Sequence, residues 1–173
     1  TTWKKISCDN LPKVYEGEAA FATSNTNLIV NGKSIFMVSG GKKSRVFVSH
    51  DFGKSWQVYD TPIVQGEEMT GIFTADFYND KIGIIAGGNY LKQLQNWSNK
   101  SITLDGGKTW KLIADKAAFG YASCVQFVPK SKGKKLISAG GTGLFYSDDF
   151  GENWTKISDD KDFYTFRFES KKV

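Results

Sequence analysis

Histidine is nearly absent from this 173-residue chain: His50 stands alone. The two cysteines, Cys8 and Cys124, lie far apart, so one His and two distant thiols cannot supply a zinc ligand set of usual spacing, and no metal is expected. Whether the cysteines pair is open at this level. Arginine is scarce too, Arg45 and Arg167 being the two. The net charge of +5 is carried almost wholly by dispersed lysines, which reads as a solvated surface. A nucleic-acid footprint would cluster Arg and Lys along one face, so no nucleic-acid partner is expected. No apolar run approaches the ~20 residues of a membrane-spanning helix. No Gly-x-Gly-x-x-Gly follows a strand, and Gly140-Gly141-Thr142-Gly143 sits in an all-β context without the helix such a loop needs, so no cofactor is expected. With 3 prolines, 18 glycines and 14% aromatics, the composition suits many short strands joined by tight turns.

What is present is a repeat. Ser49-His50-Asp51-Phe52-Gly53-Lys54-Ser55-Trp56, Thr103-Leu104-Asp105-Gly106-Gly107-Lys108-Thr109-Trp110 and Ser147-Asp148-Asp149-Phe150-Gly151-Glu152-Asn153-Trp154 share one pattern: Ser or Thr, then Asp two residues on, Gly two further, a small polar residue, and Trp. A cut copy, Thr2-Trp3 with Lys4-Lys5-Ile6, opens the chain. The tryptophans are 53, 54 and 44 residues apart, a period that marks stacked supersecondary units. The pattern is turn chemistry. The Asp accepts bonds from backbone N–H groups ahead of it, and the Gly takes positive φ without a Cβ clash. The Trp leads a short β-prone run, where a large ring at a fixed place fills the gap between neighbouring units. Asp51, Gly53, Trp56, Asp105, Gly107, Trp110, Asp149, Gly151 and Trp154 are therefore read as structural corner residues.

These segments resemble Asp-box repeats, the motif of bacterial neuraminidases that is found in many β-propellers. Longer stretches are similar to one subgroup: Tyr15-Glu-Gly-Glu-Ala-Ala-Phe-Ala-Thr-Ser24, Arg45-Val-Phe-Val-Ser49, Thr61-Pro-Ile-Val-Gln-Gly-Glu67 and Gly120-Tyr-Ala-Ser-Cys-Val125. That subgroup comprises bacterial proteins bearing the names oxidoreductase or glycosyl hydrolase and related to the photosystem II stability/assembly factor. The resemblance covers nearly the whole chain. It implies an all-β propeller segment and export to the periplasm or beyond the bacterial cell, and it carries over no catalytic residues.

The expected organisation is three four-stranded antiparallel blades with flanking strands. Residues 1–7 are the last strand of a preceding blade; 8–60, 61–114 and 115–158 are blades; 159–173 hold the first strand of a following one. Within these, Glu18–Ser24 and Phe163–Glu169 are expected as strands. Asn31-Gly32 marks a tight turn in an extra hairpin or within the strand pair. A strand D, three ABCD blades and a lone A do not close a ring. The expectation is a piece of a propeller of six or seven blades, completed by blades of the same gene product or of a second chain.

The ABCD order places the boxes and A–B turns on one face, and the D–A and B–C loops on the other. On that second face Glu16, Glu18, Glu67 and Tyr121 from one loop set would meet Arg45, Asn89 and Tyr90 from the other, a candidate polar binding funnel. The bland alternative is solvated loop charge, with Glu18 and Arg45 paired to each other. A sialidase needs an arginine cluster, which two arginines cannot form. A glycosidase needs two carboxyl groups across the bond, which Glu16, Glu18 and Glu67 could supply. The reading favoured is a non-catalytic binding or assembly scaffold with a protein partner. The runner-up is a carbohydrate-active protein with its site at Glu16, Glu18, Glu67 and Arg45.

Overall fold

Alternation of side chains is the physical basis of the sheets. Along Ser34–Val38 every second residue is buried, and the run Arg45–Ser49 is buried on both faces, as a strand between two packed layers must be. A computed structural model describes Thr2 and residues 11–169. Among these residues it shows strands and no helix. The first sheet runs β2 (Leu28–Asn31), β3 (Ser34–Val38), β5 (Arg45–Ser49), β6 (Gln57–Asp60). The second runs β7 (Thr70–Phe77), β8 (Gly83–Asn89), β9 (Lys100–Thr103), β10 (Lys111–Leu112). Two short strands, β4 (Gly40–Gly41) and β1 (Glu18–Ala19), extend the β7 edge. The third sheet runs β11 (Cys124–Phe127), β12 (Leu136–Gly140), β13 (Gly143–Ser147), β14 (Thr155–Ser158). All pairings are antiparallel, and apart from β3–β5, β4–β7 and β1–β4 they join strands consecutive in sequence, the up-and-down order of propeller blades.

The core lies between blades. Phe36, Val38, Val46 and Val48 of the first sheet pack on Ile72, Ala75, Phe77 and Ile85 of the second, with the Phe36 and Phe77 rings stacked at 3.6 Å. Ile84, Ala86 and Ile102 of the second pack on Val125, Phe127, Leu136 and Phe145 of the third. Trp110 packs on the cluster shared by the first and second sheets, edge-on to Phe77, and Trp154 on the cluster shared by the second and third, edge-on to Phe119 at 4.9 Å, so each ring fills the gap between its own sheet and the one before. Neighbouring inner strands form no ladder, yet their edge groups are paired. Ala75 donates its N–H to Thr26 O, Val125 to Thr74 Oγ1 and Phe127 to Asp76 Oδ2. The outer faces are left open: Val30 on β2 is 65% exposed, and Leu28 and Ile157 are exposed as well.

The three corners are built alike. In the first, Ser49 Oγ donates to Asp51 Oδ1 and accepts from Gly53 N–H. The N–H groups of Lys54 and Ser55 donate to Asp51 Oδ1, and Ser55 Oγ donates to Oδ2. Trp56 Nε1 donates to Gly53 O. Thr103, Asp105, Gly107, Thr109 and Trp110 form the same network, as do Ser147, Asp149, Gly151, Asn153 and Trp154. Two consecutive left-handed residues make the bend: Phe52 and Gly53, Gly106 and Gly107, Phe150 and Gly151. One further bond ties each corner to the A–B turn of its own sheet, from the N–H of Phe52, Gly106 or Phe150 to the carbonyl of Lys33, Lys81 or Lys134.

Two expected strands are corrected. Of Glu18–Ser24, only Glu18–Ala19 is strand; the inner strand of the first blade is Leu28–Asn31, and Asn31-Gly32, with φ of +60° at the glycine, is its A–B turn. Residues 20–27 instead make a compact turn: Ser24 N–H and Asn27 Nδ2 both donate to Phe21 O, and the Phe21 ring stacks on Phe73 at 3.7 Å. Phe163–Glu169 forms no ladder and is held by side chains. The expected strand Thr2–Ser7 lies, apart from Thr2, outside the described residues, as does Cys8.

Candidate functional site

Glu18 and Arg45 converge, on each other. The guanidinium donates from Nε to Glu18 Oε1 at 2.8 Å and from a terminal nitrogen to Oε2 at 2.6 Å. Ser39 Oγ donates to Oε1, and Tyr15 N–H to Oε2. The Arg45 guanidinium lies over the rings of Tyr15 and Phe47, a cation–π arrangement, and the terminal nitrogen that binds Oε2 also donates to Lys13 O. The Glu18 side chain is 0% exposed and that of Arg45 11%. Burial pushes the Glu18 carboxyl upward, but bonds from Arg45, Ser39 and Tyr15 bring it below its ordinary value. The candidate funnel thus loses this pair, which pins the chain before the first blade to β5. Glu16 and Glu67 remain on the surface; Glu67 Oε2 accepts from Asn89 Nδ2 at 3.3 Å. Asn89 itself is buried, its Oδ1 accepting the N–H groups of Leu91 and Lys92 and so closing the turn that launches loop 90–99.

Tyr90 and Tyr121 do meet. They line a cleft of about 370 Å³ at the inner edges of the blades, together with Phe73, Ser24, Asn25 and Tyr164. Tyr121 stands edge-on to both Phe73 and Tyr90, at 4.9 and 5.3 Å between ring centroids. Burial raises the Tyr121 phenol above its ordinary range, and Tyr90 and Tyr164 beside it add to that, so it stays a neutral donor. The other lining residues are Thr23, Ser123 and Thr165; among the described residues no carboxylate lines the cleft. Beyond Tyr90 the loop exposes Leu91, Leu94 and Trp97. Glu16, Glu18, Arg45, Glu67 and Asn89 are not among the lining residues.

Two chemistry-bearing residues escape the sequence reading. Asp76, on the inner strand β7, is partly buried and accepts from Phe77 N–H and Phe127 N–H. Burial raises its pKa, while those bonds and the charge of Arg167 pull the other way. Lys100, the first residue of β9, is 0% exposed. Its Nζ donates to Asn99 Oδ1 and Ala117 O, both at 2.9 Å, and lies 4.7 Å from the Phe119 ring centroid. Burial lowers its pKa to about 8, with Asp115 opposing. The signal was available: counting back from the corner Ser or Thr, Lys100 occupies the register position of Val46, which packs against the second sheet.

No family model matches the chain, and no curated protein does. Solved structures do. YCF48 bound to D1 peptide aligns with 80% of this chain at 16% identity and a TM-score of 0.52. YCF48 from Cyanidioschyzon merolae aligns with 83% at 16% identity and 0.50. A GH74 enzyme from Niastella koreensis aligns with 76% at 18% identity and 0.54. The chain spans 41% and 43% of the two YCF48 chains and 22% of the GH74 enzyme. At these identities the likeness is one of fold, and this chain has the β-propeller fold found in the photosystem II assembly factor YCF48 and in GH74 enzymes.

Proposed function

We propose that this chain is a non-catalytic propeller scaffold that binds an extended peptide segment in the cleft between Phe73, Tyr90 and Tyr121. The observation that carries this reading is the make-up of the cleft: aromatic rings and neutral hydroxyl and amide groups, continuous with a loop that exposes Leu91, Leu94 and Trp97. Rings supply large contact area at small entropic cost, and a surface of this kind suits a protein segment better than a charged solute. One structural neighbour holds a D1 peptide, in keeping with a peptide as ligand. Further blades, of the same gene product or of a second chain, would cover the open faces around Leu28, Val30 and Ile157 and bring the ring to six or seven. Placement outside the bacterial cytoplasm rests on the sequence resemblance; among the described residues no helix is long and apolar enough to cross a membrane.

The runner-up, a carbohydrate ligand, draws on the GH74 neighbours and on the same rings, which can stack on sugars. Its original acidic site is weakened by the Glu18–Arg45 pairing. The test is NMR titration of the labelled protein with peptides selected against it and with xyloglucan oligosaccharides. Shifts at Phe73, Tyr90 and Tyr121 with peptide alone support the reading; shifts there with the oligosaccharides alone transfer the cleft to the runner-up.

A further inference from the structure

Tyr90 and Tyr121 stand on two loops that a buried polar cluster ties together. The β8–β9 loop, residues 90–99, carries Tyr90, and the connection from β10 to β11, residues 113–123, carries Tyr121. Asn99 is 1% exposed, and its Nδ2 donates to Phe119 O at 2.9 Å and to Gly120 O. Its Oδ1 accepts from Lys100 Nζ, which also donates to Ala117 O. Two adjacent side chains thus grip three carbonyls in the four residues before Tyr121. From the other side Tyr121 N–H donates to Gln93 O at 2.8 Å. Gln93 is seated so closely that a Cβ on Gly120 would run into its carbonyl oxygen, and one on Gly141 into its Oε1. Ser98 N–H to Asp115 Oδ1 and Lys116 N–H to Asn96 O join the same two loops further out. The connection needs such support. Ala114, Lys116 and Ala118 have φ of +43°, +60° and +63°, and Ser98 facing them +47°, a left-handed region that a Cβ disfavours. Backbone of this kind persists where its surroundings over-determine it, and it gathers at ligand sites.

We propose that Asn99 and Lys100 are positioning residues of the cleft: they fix the connection 113–121 on the β8–β9 loop, so that Tyr121 stands edge-on to Tyr90 and the cleft has its shape before a ligand arrives. This rests on the peptide-binding reading above and adds what sets the shape of that site. Neither residue lines the cleft; both act through Tyr121. Packing alone asks for no cation here, since Val46 fills the same register position between the first and second sheets. What a lysine adds is reach, and with it the bonds to Asn99 Oδ1 and Ala117 O. Rings carried on loops would otherwise have to be ordered at the moment of binding, which costs affinity. Where Tyr121 is loosened, only the fraction of molecules with the ring in place is competent to bind, and the apparent affinity falls by that fraction.

The test uses the full chain labelled with fluorotyrosine, the Tyr90 and Tyr121 resonances being assigned by Tyr90→Phe and Tyr121→Phe, together with a peptide selected against the parent chain. Asn99→Leu and Lys100→Met are compared with the parent. Lys100→Met removes a buried charge along with its bonds, so it carries the test if Asn99→Leu does not fold. The expected result is a displaced Tyr121 resonance with Tyr78 and Tyr146 unmoved. Hydrogen exchange at Tyr121 N–H becomes about tenfold faster or more, and peptide affinity falls about tenfold. A residue that only supports the sheet would lower the denaturant midpoint and leave the Tyr121 signal and the affinity as they were; that outcome in Lys100→Met overturns the proposal and leaves the peptide-binding cleft standing. A displaced Tyr121 with unchanged affinity overturns it as well, because the placement then does not serve the cleft. If no peptide binds the parent chain, the peptide-binding reading itself fails, and the Tyr121 resonance still decides whether Asn99 and Lys100 place the ring.

Discussion

Arg45 grips both carboxylate oxygens of Glu18 in a site closed by Tyr15 and Phe47. Both charges are out of water, so each depends on the other. Removing one partner leaves an uncompensated buried charge and costs about 3–5 kcal/mol. Glu18→Gln or Arg45→Met therefore lowers stability by that order in urea titrations. The double variant Glu18→Gln/Arg45→Met loses less than the sum of the two singles. Additive losses would show that the two groups act separately. The same pair explains why the candidate funnel could be half read from sequence. Charge of opposite sign on two loop sets was visible, but whether the charges face a ligand or each other depends on burial, which local sequence does not encode.

The corner aspartates make stability acid-sensitive. The Ser55 N–H and hydroxyl bring Asp51 down to about 2. Slight burial raises Asp105 and Asp149, but hydroxyl, amide and backbone donors outweigh it and hold both below the ordinary value. Glu18 is depressed as well. A carboxylate with a lowered folded-state pKa gives stability that is full above its unfolded value and drains as pH falls through the folded one. Asp76 works the opposite way, its raised pKa favouring the folded state in acid. The four depressed groups outnumber it, so the melting temperature falls between about pH 4.5 and pH 2. In Asp105→Asn this acid limb is shallower, as thermal melts across that range would show.

The corners themselves were legible because all their chemistry lies within eight residues, and the inter-blade contacts of Trp110 and Trp154 followed from their fixed place. Ser147→Ala removes a buried hydroxyl that both donates to Asp149 and accepts from Gly151 N–H, at a cost of about 1–3 kcal/mol. Gly151→Ala costs at least as much. Its φ of +84° disfavours a side chain by about 1–2 kcal/mol, and a Cβ there would stand 2.6 Å from Ile113 Cδ1. Denaturant midpoints of the two variants check both. The inner strand of the first blade was less legible: Glu18–Ser24 has strand-like composition, yet the Phe21–Phe73 stack and the bonds to Phe21 O favour a turn.

The cleft was the least legible part, since Phe73 comes from β7 and Tyr90, Tyr121 and Tyr164 from three separate segments outside the strands, far apart in sequence. Its members separate by burial. Phe73 is buried under Phe21 and Tyr121, so Phe73→Ala costs about 3–5 kcal/mol of stability. Tyr90 is at the rim, and Tyr90→Ala costs about 1 kcal/mol, the value of its ring contacts. Peptide affinity shows the reverse sensitivity: Tyr90→Ala lowers it about tenfold or more in a chain that still folds. Calorimetric titration beside a thermal melt separates the two effects. Unchanged affinity in Tyr90→Ala would remove this tyrosine from the binding surface.

Lys100 sets the last prediction. It stands in the junction between the second and third blades, at the register position Val46 holds between the first and second, and among the described residues no carboxylate bonds to it. With burial lowering its pKa to about 8 from an ordinary 10.5, the folded chain binds fewer protons than the unfolded chain between those values. Stability therefore rises with pH across that window, by at most about 3 kcal/mol. Below pH 8 the desolvation cost of the buried ammonium is fully in force. Lys100→Met removes that cost but leaves Asn99 Oδ1 and Ala117 O without this donor, a loss of about 1–3 kcal/mol, so the variant is close to the parent near neutral pH. Urea titrations at pH 7.5 and 9.5 distinguish the two proteins. The parent gains stability between the two pH values and the variant gains less, because the other lysines and the tyrosines titrate alike in both. A parallel gain would mean that the Lys100 amine is hydrated and titrates as a surface lysine does.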